Sequence, residues 1–169
     1  YPQSAVYYPA TGIIGELYNI SIGVGYTMPF QLICAPWIEA DKFCNRMNGL
    51  NLKGVVFRPI HIKPYYSQSK GENIQGVQLY ITDVLDANLT MIQFHAMEIL
   101  AEMYPDKRLL DENGQGTLGN RWNMFDKVCG TSKIRLEFSK NYKVADIIDY
   151  WNKDVDAFKE KSKKYYLYK

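Results

Sequence analysis

The sequence has only three cysteines, Cys34, Cys44 and Cys129, and only two histidines, His61 and His95. No Cys-x-x-Cys spacing joins them, which argues against a zinc site, and no metal is expected. Cys34 and Cys44 sit among apolar residues and read as small buried thiols, so they do not decide the compartment. No apolar run approaches the roughly 18 residues of a membrane span, and no secretory leader is recognisable. The chain opens at Tyr1 without a methionine and so reads as a processed chain or a fragment. Excess charge is also missing: a net charge of +2 is too small to suggest nucleic acid. No serine stands in a nucleophile-elbow context. Gly23-Val24-Gly25 lacks the third glycine and the following helix that a dinucleotide or phosphate loop needs. It reads instead as a turn that lets the backbone approach something closely. No cofactor is expected.

What is present in quantity is tyrosine, fourteen of 169 residues. A flat apolar face with a hydroxyl suits sugar and protein surfaces, but it suits strands and loop packing as well, and packing is the preferred reading. Hydrophobic residues at 47% and charged residues at 22% are those of a globular chain. The length fits one domain with a good core. Such basic excess as exists lies near the end, at Lys159, Lys161, Lys163 and Lys164.

Residues 1–12, rich in Pro and Tyr and without a period, read as a lead-in, and 13–169 as a single domain. Ile13-Ile14 reads as a short strand feeding Glu16. The apolar run from Phe30 to Ala35, between Pro29 and Pro36, predicts a buried strand. Beyond Ile38 the period turns helical, with Ala40, Phe43, Cys44 and Met47 on one face and Asn48-Gly49 as the stop. Val55 to Ile62 predicts a strand that Pro59 confines to an edge or a bulge. Val77, Leu79 and Ile81 alternate with Gln78, Tyr80 and Thr82, predicting a half-buried strand that ends at Asp83.

Asn88 is placed to cap a helix carrying Leu89, Ile92, Ala96, Ile99, Leu100 and Met103, ended by Pro105. Leu110 to Asn120 reads as a loop, Met124 to Val128 as a short helix closed by Gly130, and Ile134 to Phe138 as a strand or a helix. Val144, Ile147, Ile148, Trp151, Val155 and Phe158 predict one last helix with a narrow apolar stripe. The ending Tyr165-Tyr166-Leu167-Tyr168 is apolar enough to dock. Irregular alternation of elements predicts an α+β domain: a mixed, largely antiparallel sheet packed with about three to four helices.

Polar groups collect between apolar segments in the loop from Gly15 to Gly25, where folded domains usually keep binding residues. Glu16 and Asn19 there could bind sugar hydroxyls, or Glu16 could work as an acid or base if burial raised its pKa. A solvated loop charge accounts for Glu16 equally well. Asp83, at the end of the best strand, could hold a ligand or only form a turn. Arg58, mid-strand between apolar neighbours, needs a partner, and a carboxylate of the domain is preferred to a ligand. His95 reads as exposed on the polar flank of its helix, and His61 has no partner visible in sequence. The carboxylate pair of glycoside hydrolysis cannot be assigned without the fold.

Several segments form an ordered set: Tyr8-Pro9-Ala10-Thr11, Glu16 with Asn19-Ile20-Ser21 and Gly23-x-Gly25, and Pro29-Phe30-Gln31-Leu32-Ile33-Cys34-Ala35-Pro36-Trp37-Ile38. Phe57-Arg58-Pro59, Lys70-Gly71-Glu72, Gly76-Val77-Gln78 with Thr82-Asp83, and Phe125-Asp126-Lys127 with Gly130-Thr131 follow. Trp151, Phe158 and the closing tyrosines complete it. The set resembles the C-terminal part of the NamZ-type exo-β-N-acetylmuramidases, and the resemblance runs through nearly the whole chain. It implies a Rossmann-like N-terminal domain earlier in the same parent chain, with the active cleft between the two domains. It also implies release of N-acetylmuramic acid from the non-reducing end of peptidoglycan fragments, outside the cytoplasm. A peptidoglycan-derived sugar or muropeptide is then the expected ligand.

On the same resemblance, Glu16, Asn19 and Asp83 face that cleft in supporting or sugar-binding roles. The principal catalytic carboxylate is expected on the missing domain, so the isolated chain is expected to be inactive. The chain departs from the family pattern at Leu17 and Tyr18, where Gly-Thr is usual, and at Val24 and Met28, where basic or polar residues are usual. Tyr80 replaces a common His and Ile74 a common Cys. This poorer loop chemistry keeps a second reading open: a non-catalytic carbohydrate-binding or protein-interaction module that has lost the activity.

Overall fold

The computed structural model of the protein describes residues 3–116 and 118–167. Residues 1 and 2 of the lead-in, Thr117 of the loop after Leu110 and Tyr168 of the ending therefore lie outside the described residues. Three strands, β1 (Leu32–Ala35), β2 (Val55–Ile62) and β3 (Ile74–Ile81), form one antiparallel sheet in the order β1-β3-β2. Helix α1 (Ser4–Gly15) precedes the sheet, α2 (Ala40–Gly49) joins β1 to β2, and α3 (Leu89–Met103) follows β3. Shorter helices α4 (Trp122–Cys129), α5 (Lys133–Asn141), α6 (Ile148–Asn152) and α7 (Val155–Ser162) complete the described chain. The expected α+β architecture with an antiparallel sheet is what forms.

Local patterns account for several of these elements. All four residues of β1 are buried, as a short apolar run between prolines requires. In α2 the buried residues are Ala40, Phe43, Cys44 and Met47, the face that the 3.6-residue period marks. Pro59 lies in the outer strand β2, where a missing N–H breaks no ladder bond. Asn48 does more than stop α2: its side-chain amide donates to the Phe57 carbonyl at 2.8 Å and accepts from the Phe57 N–H at 2.9 Å. Gly130, in the left-handed region at φ 72°, closes α4 as predicted.

The sheet has two unlike faces. Ile33, Ala35, Val55, Phe57, Val77 and Leu79 point into the main core with the helices. Leu32, Cys34, Ile62 and Ile74 form a smaller core on the other side, packed by Met28 and Ile60. As the central strand, β3 is more buried than simple alternation predicts, and Gln78 is only 4% exposed. Gly76 is required there, since a Cβ would fall 2.0 Å from the Ile33 carbonyl oxygen of β1.

Helix α3 is the centre of the main core. Beyond the predicted stripe it also buries Met91, Gln93, Phe94, Met97 and Ala101, because neighbours pack on more than one side of it. The Phe94 ring meets Phe125, Phe138 and Trp151 edge-on, and burying one such ring is worth about 1.5–3 kcal/mol. Asn88 occupies the N-cap position of α3 without a side-chain capping bond.

Three expectations are corrected. Ser4–Gly15 is helical, where the sequence reads as an unpatterned lead-in and then a short strand at Ile13-Ile14. Pro9 inside α1 lacks an N–H, which normally breaks a helix. The fully buried side chain of Gln93 braces the turn that follows: Nε2 donates to the Pro9 carbonyl at 2.8 Å, and Oε1 accepts from the N–H of Ile13 at 2.9 Å and of Ile14 at 3.0 Å. A contact across about eighty residues leaves no trace in local periodicity.

Second, the single last helix is broken. Val144–Asp146 is a 3-10 turn, and a turn at Lys153-Asp154 separates α6 from α7. Val144 and Ile147 are buried and Ile148 and Trp151 pack against the core, but Phe158 is 67% exposed. Tyr165, Tyr166 and Leu167 are exposed too, so the described part of the ending does not dock on this domain. Deleting residues 153–169 is therefore expected to change stability by no more than about 0.5 kcal/mol in urea denaturation. A larger loss would show that α7 supports the core.

Third, His95 is half-buried, not exposed, beside a hollow lined by Leu52, Lys53, Asp86, Met91 and Ile148. Burial lowers its pKa below the ordinary 6.5, outweighing the Glu98 charge, which acts the other way. Because the folded value is depressed, the unfolded chain takes up a proton near pH 6.5 that the folded chain still refuses. The contribution is thus fully present above pH 6.5 and is lost as pH falls through the lower folded value. Denaturation midpoints at neutral and mildly acid pH should fall more for the wild type than for His95→Gln. Equal slopes would refute it.

Candidate functional site

The loop that follows α1 is built around an alternation of buried and outward side chains. Leu17 is fully buried, which turns its neighbours Glu16 and Tyr18 away from the core. Tyr18 takes the left-handed region at φ 63°, and three successive N–H groups, of Glu16, Leu17 and Tyr18, close back on Ile13, Ile14 and Gly15. Gly15 permits this tight exit, because a Cβ there would meet the Ile22 side chain at 2.5 Å.

Arg121, from the 3-10 turn just before α4, reaches back to this loop. Its Nε donates to the Glu16 carbonyl at 2.9 Å and its Nη2 to Glu16 Oε2 at 3.1 Å. The guanidinium carbon lies 3.9 Å from the centre of the Tyr18 ring. Glu16 is therefore not a solvated loop charge; it is one corner of a Glu–Arg–Tyr cluster, partly open to solvent. A carboxylate held in this way orients hydrogen-bonding groups. Arg121 and Tyr18 were not marked by the sequence as site residues, and the 105-residue separation between Arg121 and Glu16 offers no local signal.

Asn19 stands half-buried on the same loop, three residues after Glu16 and next to the buried Ile20. Ser21 then pairs with Cys34 through both backbone groups, at 2.8 and 3.0 Å. Gly23 and Gly25 both have positive φ, 87° and 95°, and a Cβ on either would strike backbone oxygen of Met28 or Tyr66. The Gly-x-Gly is a shaping turn, as expected, and Tyr65 N–H ties the next loop to the Gly25 carbonyl at 2.7 Å. Val24 and Met28 both pack inward, one on each core.

Asp83 lies in another place. It is exposed beyond the end of β3, and its Oδ1 accepts from the N–H of Leu85 at 2.8 Å and of Asp86 at 3.3 Å, forming a turn. The Glu16 loop joins the sheet through Ser21 at Cys34, level with Gly76. Asp83 is seven residues further along than Gly76, roughly 23 Å of extended chain. Glu16 and Asn19 share one loop, while Asp83 belongs to a turn of its own with Leu85 and Asp86.

Arg58 also departs from expectation. Its partner is the Gln78 amide, at 2.8 Å from Nε, and not a carboxylate. A hollow of about 610 Å³ over the β2–β3 turn is lined by Tyr26, His61, Lys63, Asn73 and Gln75 and contains none of the three expected site residues. The cysteines are free, and burial pushes the Cys34 and Cys129 thiols up to about 12, which removes them as nucleophiles. Among the described residues no cluster of three metal-ligating side chains occurs, and no helix is long and apolar enough to cross a membrane.

Three comparisons bear on this geometry. The profile of the family described as exo-β-N-acetylmuramidase NamZ, C-terminal, matches residues 6–168. The chain is 34% identical over 166 residues to the peptidoglycan β-N-acetylmuramidase NamZ of Bacillus subtilis (strain 168), a match covering 98% of this chain and 38% of that protein. The crystal structure of a DUF1343 family protein from Bacteroides fragilis NCTC 9343 superposes with a TM-score of 0.92 at 48% identity, over 100% of this chain and 43% of that one. The chain spans less than half the length of both relatives.

Proposed function

The chain belongs to the family of NamZ C-terminal domains, and from that membership we propose that it forms one wall of the substrate cleft in a longer peptidoglycan hydrolase. The parent enzyme removes terminal N-acetylmuramic acid from peptidoglycan fragments outside the cytoplasm. A Rossmann-like N-terminal domain of the same polypeptide supplies the opposite wall and the principal catalytic carboxylate. Glu16 and Asn19 hold sugar hydroxyls, and Asp83 shapes the wall further along. One observation carries this division of labour: Glu16 is engaged by Arg121, whose guanidinium lies over the Tyr18 ring. That suits positioning, whereas glycoside hydrolysis requires a second carboxylate set across the scissile bond.

The test is turnover of a chromogenic N-acetylmuramic acid glycoside. The parent should hydrolyse it and residues 1–169 alone should not. Glu16→Gln in the parent should lower kcat/KM about tenfold, the loss of one charge-assisted contact of about 1.4 kcal/mol. It should leave stability within about 1 kcal/mol, because the pair is partly exposed. Robust hydrolysis by the isolated chain would defeat the assignment of the catalytic carboxylate to the other domain.

A second reading, a binding module without catalysis, is favoured by the inward packing of Val24 and Met28, which brings no polar chemistry to the loop. An inactive parent, together with muropeptide binding by this domain, would select it.

A further inference from the structure

The sheet face opposite α3 is only half covered. Met28 and the side chains around Cys34 close one part. Across the other part β2 and β3 set Arg58 opposite Gln78 and Val56 opposite Tyr80. Gln78 is buried, and its amide serves three neighbours: Oε1 accepts from Arg58 Nε at 2.8 Å and from the Tyr80 hydroxyl at 3.2 Å, and Nε2 donates to Gln31 Oε1 at 3.4 Å. The Arg58 guanidinium carbon lies 5.3 Å from the centre of the Tyr80 ring. Arg58 is thus fixed both at its Nε edge and along one face.

A guanidinium carries five N–H donors. Gln78 takes one, and among the described residues neither Nη group of the exposed Arg58 meets a protein acceptor or a carboxylate. Of the other four arginines, Arg46, Arg121 and Arg135 are all ion-paired. Arg108 has only the ring of Tyr142 beside it. Among the described residues, Arg58 alone is both unneutralised and hydrogen-bonded by a buried side chain. An arginine held in advance loses less freedom on binding, and its open fork matches the two oxygens of a carboxylate. Beside it Tyr80 is 37% exposed and Val56 48% exposed, giving an apolar strip on the same face. A pyranose ring can lie on such a strip.

We propose that this face binds an acidic sugar, with Arg58 taking its carboxylate in two hydrogen bonds, Tyr80 and Val56 lying under the ring, and Gln78 acting as the positioning residue. The sugar is one that carries a lactyl ether carboxylate, as N-acetylmuramic acid does. This choice of sugar rests on the function proposed above, and the anion-binding geometry does not.

The test is an NMR titration of the 169-residue chain with N-acetylmuramic acid, N-acetylglucosamine (the same ring without the lactyl carboxylate) and sodium lactate. Saturable shifts centred on Val56, Arg58, Gln78 and Tyr80 are expected with the acidic sugar, at an affinity at least about tenfold above the neutral one. Arg58→Gln should abolish that preference. Arg58→Lys should restore only part of it, since an ammonium lacks the fork. Arg58 is exposed, so both variants should keep the wild-type spectrum elsewhere.

Equal binding of the two sugars would overturn carboxylate recognition, and lactate binding as tightly as the sugar acid would overturn the sugar assignment. Shifts that map to Glu16 and Arg121 and survive Arg58→Gln would refute this site while leaving the cleft reading intact. Absence of shifts with all three ligands would refute the site alone, because parent turnover tests the cleft separately.

Discussion

Replacing Gln93 by leucine is expected to destabilise the chain by about 3–6 kcal/mol, the largest effect of any single polar substitution in the core. Leucine has nearly the volume of glutamine and would fill the same space beside α1. It would, however, leave the Pro9 carbonyl and the N–H groups of Ile13 and Ile14 without the partner that now serves all three. Gln93 and Ile14 are fully enclosed and Ile13 nearly so, and water does not replace the bonds to the Ile13 and Ile14 N–H groups, while the Pro9 carbonyl is partly buried. Each unsatisfied group costs about 1–3 kcal/mol, against a typical total stability of about 5–15 kcal/mol. Urea denaturation followed by circular dichroism measures the loss. A change below about 1 kcal/mol would mean that α1 holds its own hydrogen bonds around Pro9.

The second large effect is expected at Asp126. Arg135 donates to both its carboxylate oxygens at 2.8 Å, and also to the Gly114 carbonyl at 2.8 Å. The side chains are only 7% and 15% exposed, and Trp122 lies over the guanidinium at 4.7 Å. Asp126→Ala would strand a buried cation between α4 and α5, at a cost of about 3–5 kcal/mol. Pairing it with Arg135→Met removes the stranded charge and should recover most of the loss. A double-mutant cycle reads this coupling. Additive losses in the double variant would show that the pair contributes through packing, not through charge.

What the sequence made legible follows from the range over which each rule acts. The stripe of Ala40, Phe43, Cys44 and Met47, the outer position of the strand bearing Pro59, and the Gly130 cap depend on neighbours within one or two turns, and all three appear in the fold. Helix α1 was illegible because its interior proline argues against a helix, and the glutamine that braces it lies on α3. The last apolar stripe misled because spacing says nothing about a turn at Lys153-Asp154. In the candidate site, Glu16 and Asn19 stand out in the sequence as polar residues in an apolar context. The cation that holds Glu16 comes from a turn the loop pattern does not mention, and the amide that holds Arg58 comes from the neighbouring strand, a pairing that spacing alone does not reveal.

The clasp of Asn48 on Phe57 has a consequence for association. An outer strand with free N–H and carbonyl groups is a template on which another chain can add a strand. On β2 the outward groups of Phe57 are already occupied by Asn48, and Pro59, two residues on, has no N–H to offer. On the opposite rim Ser21 occupies both outward groups of Cys34. Neither rim presents a run of open ladder positions, so a three-stranded sheet this small is guarded against edge-to-edge polymerisation.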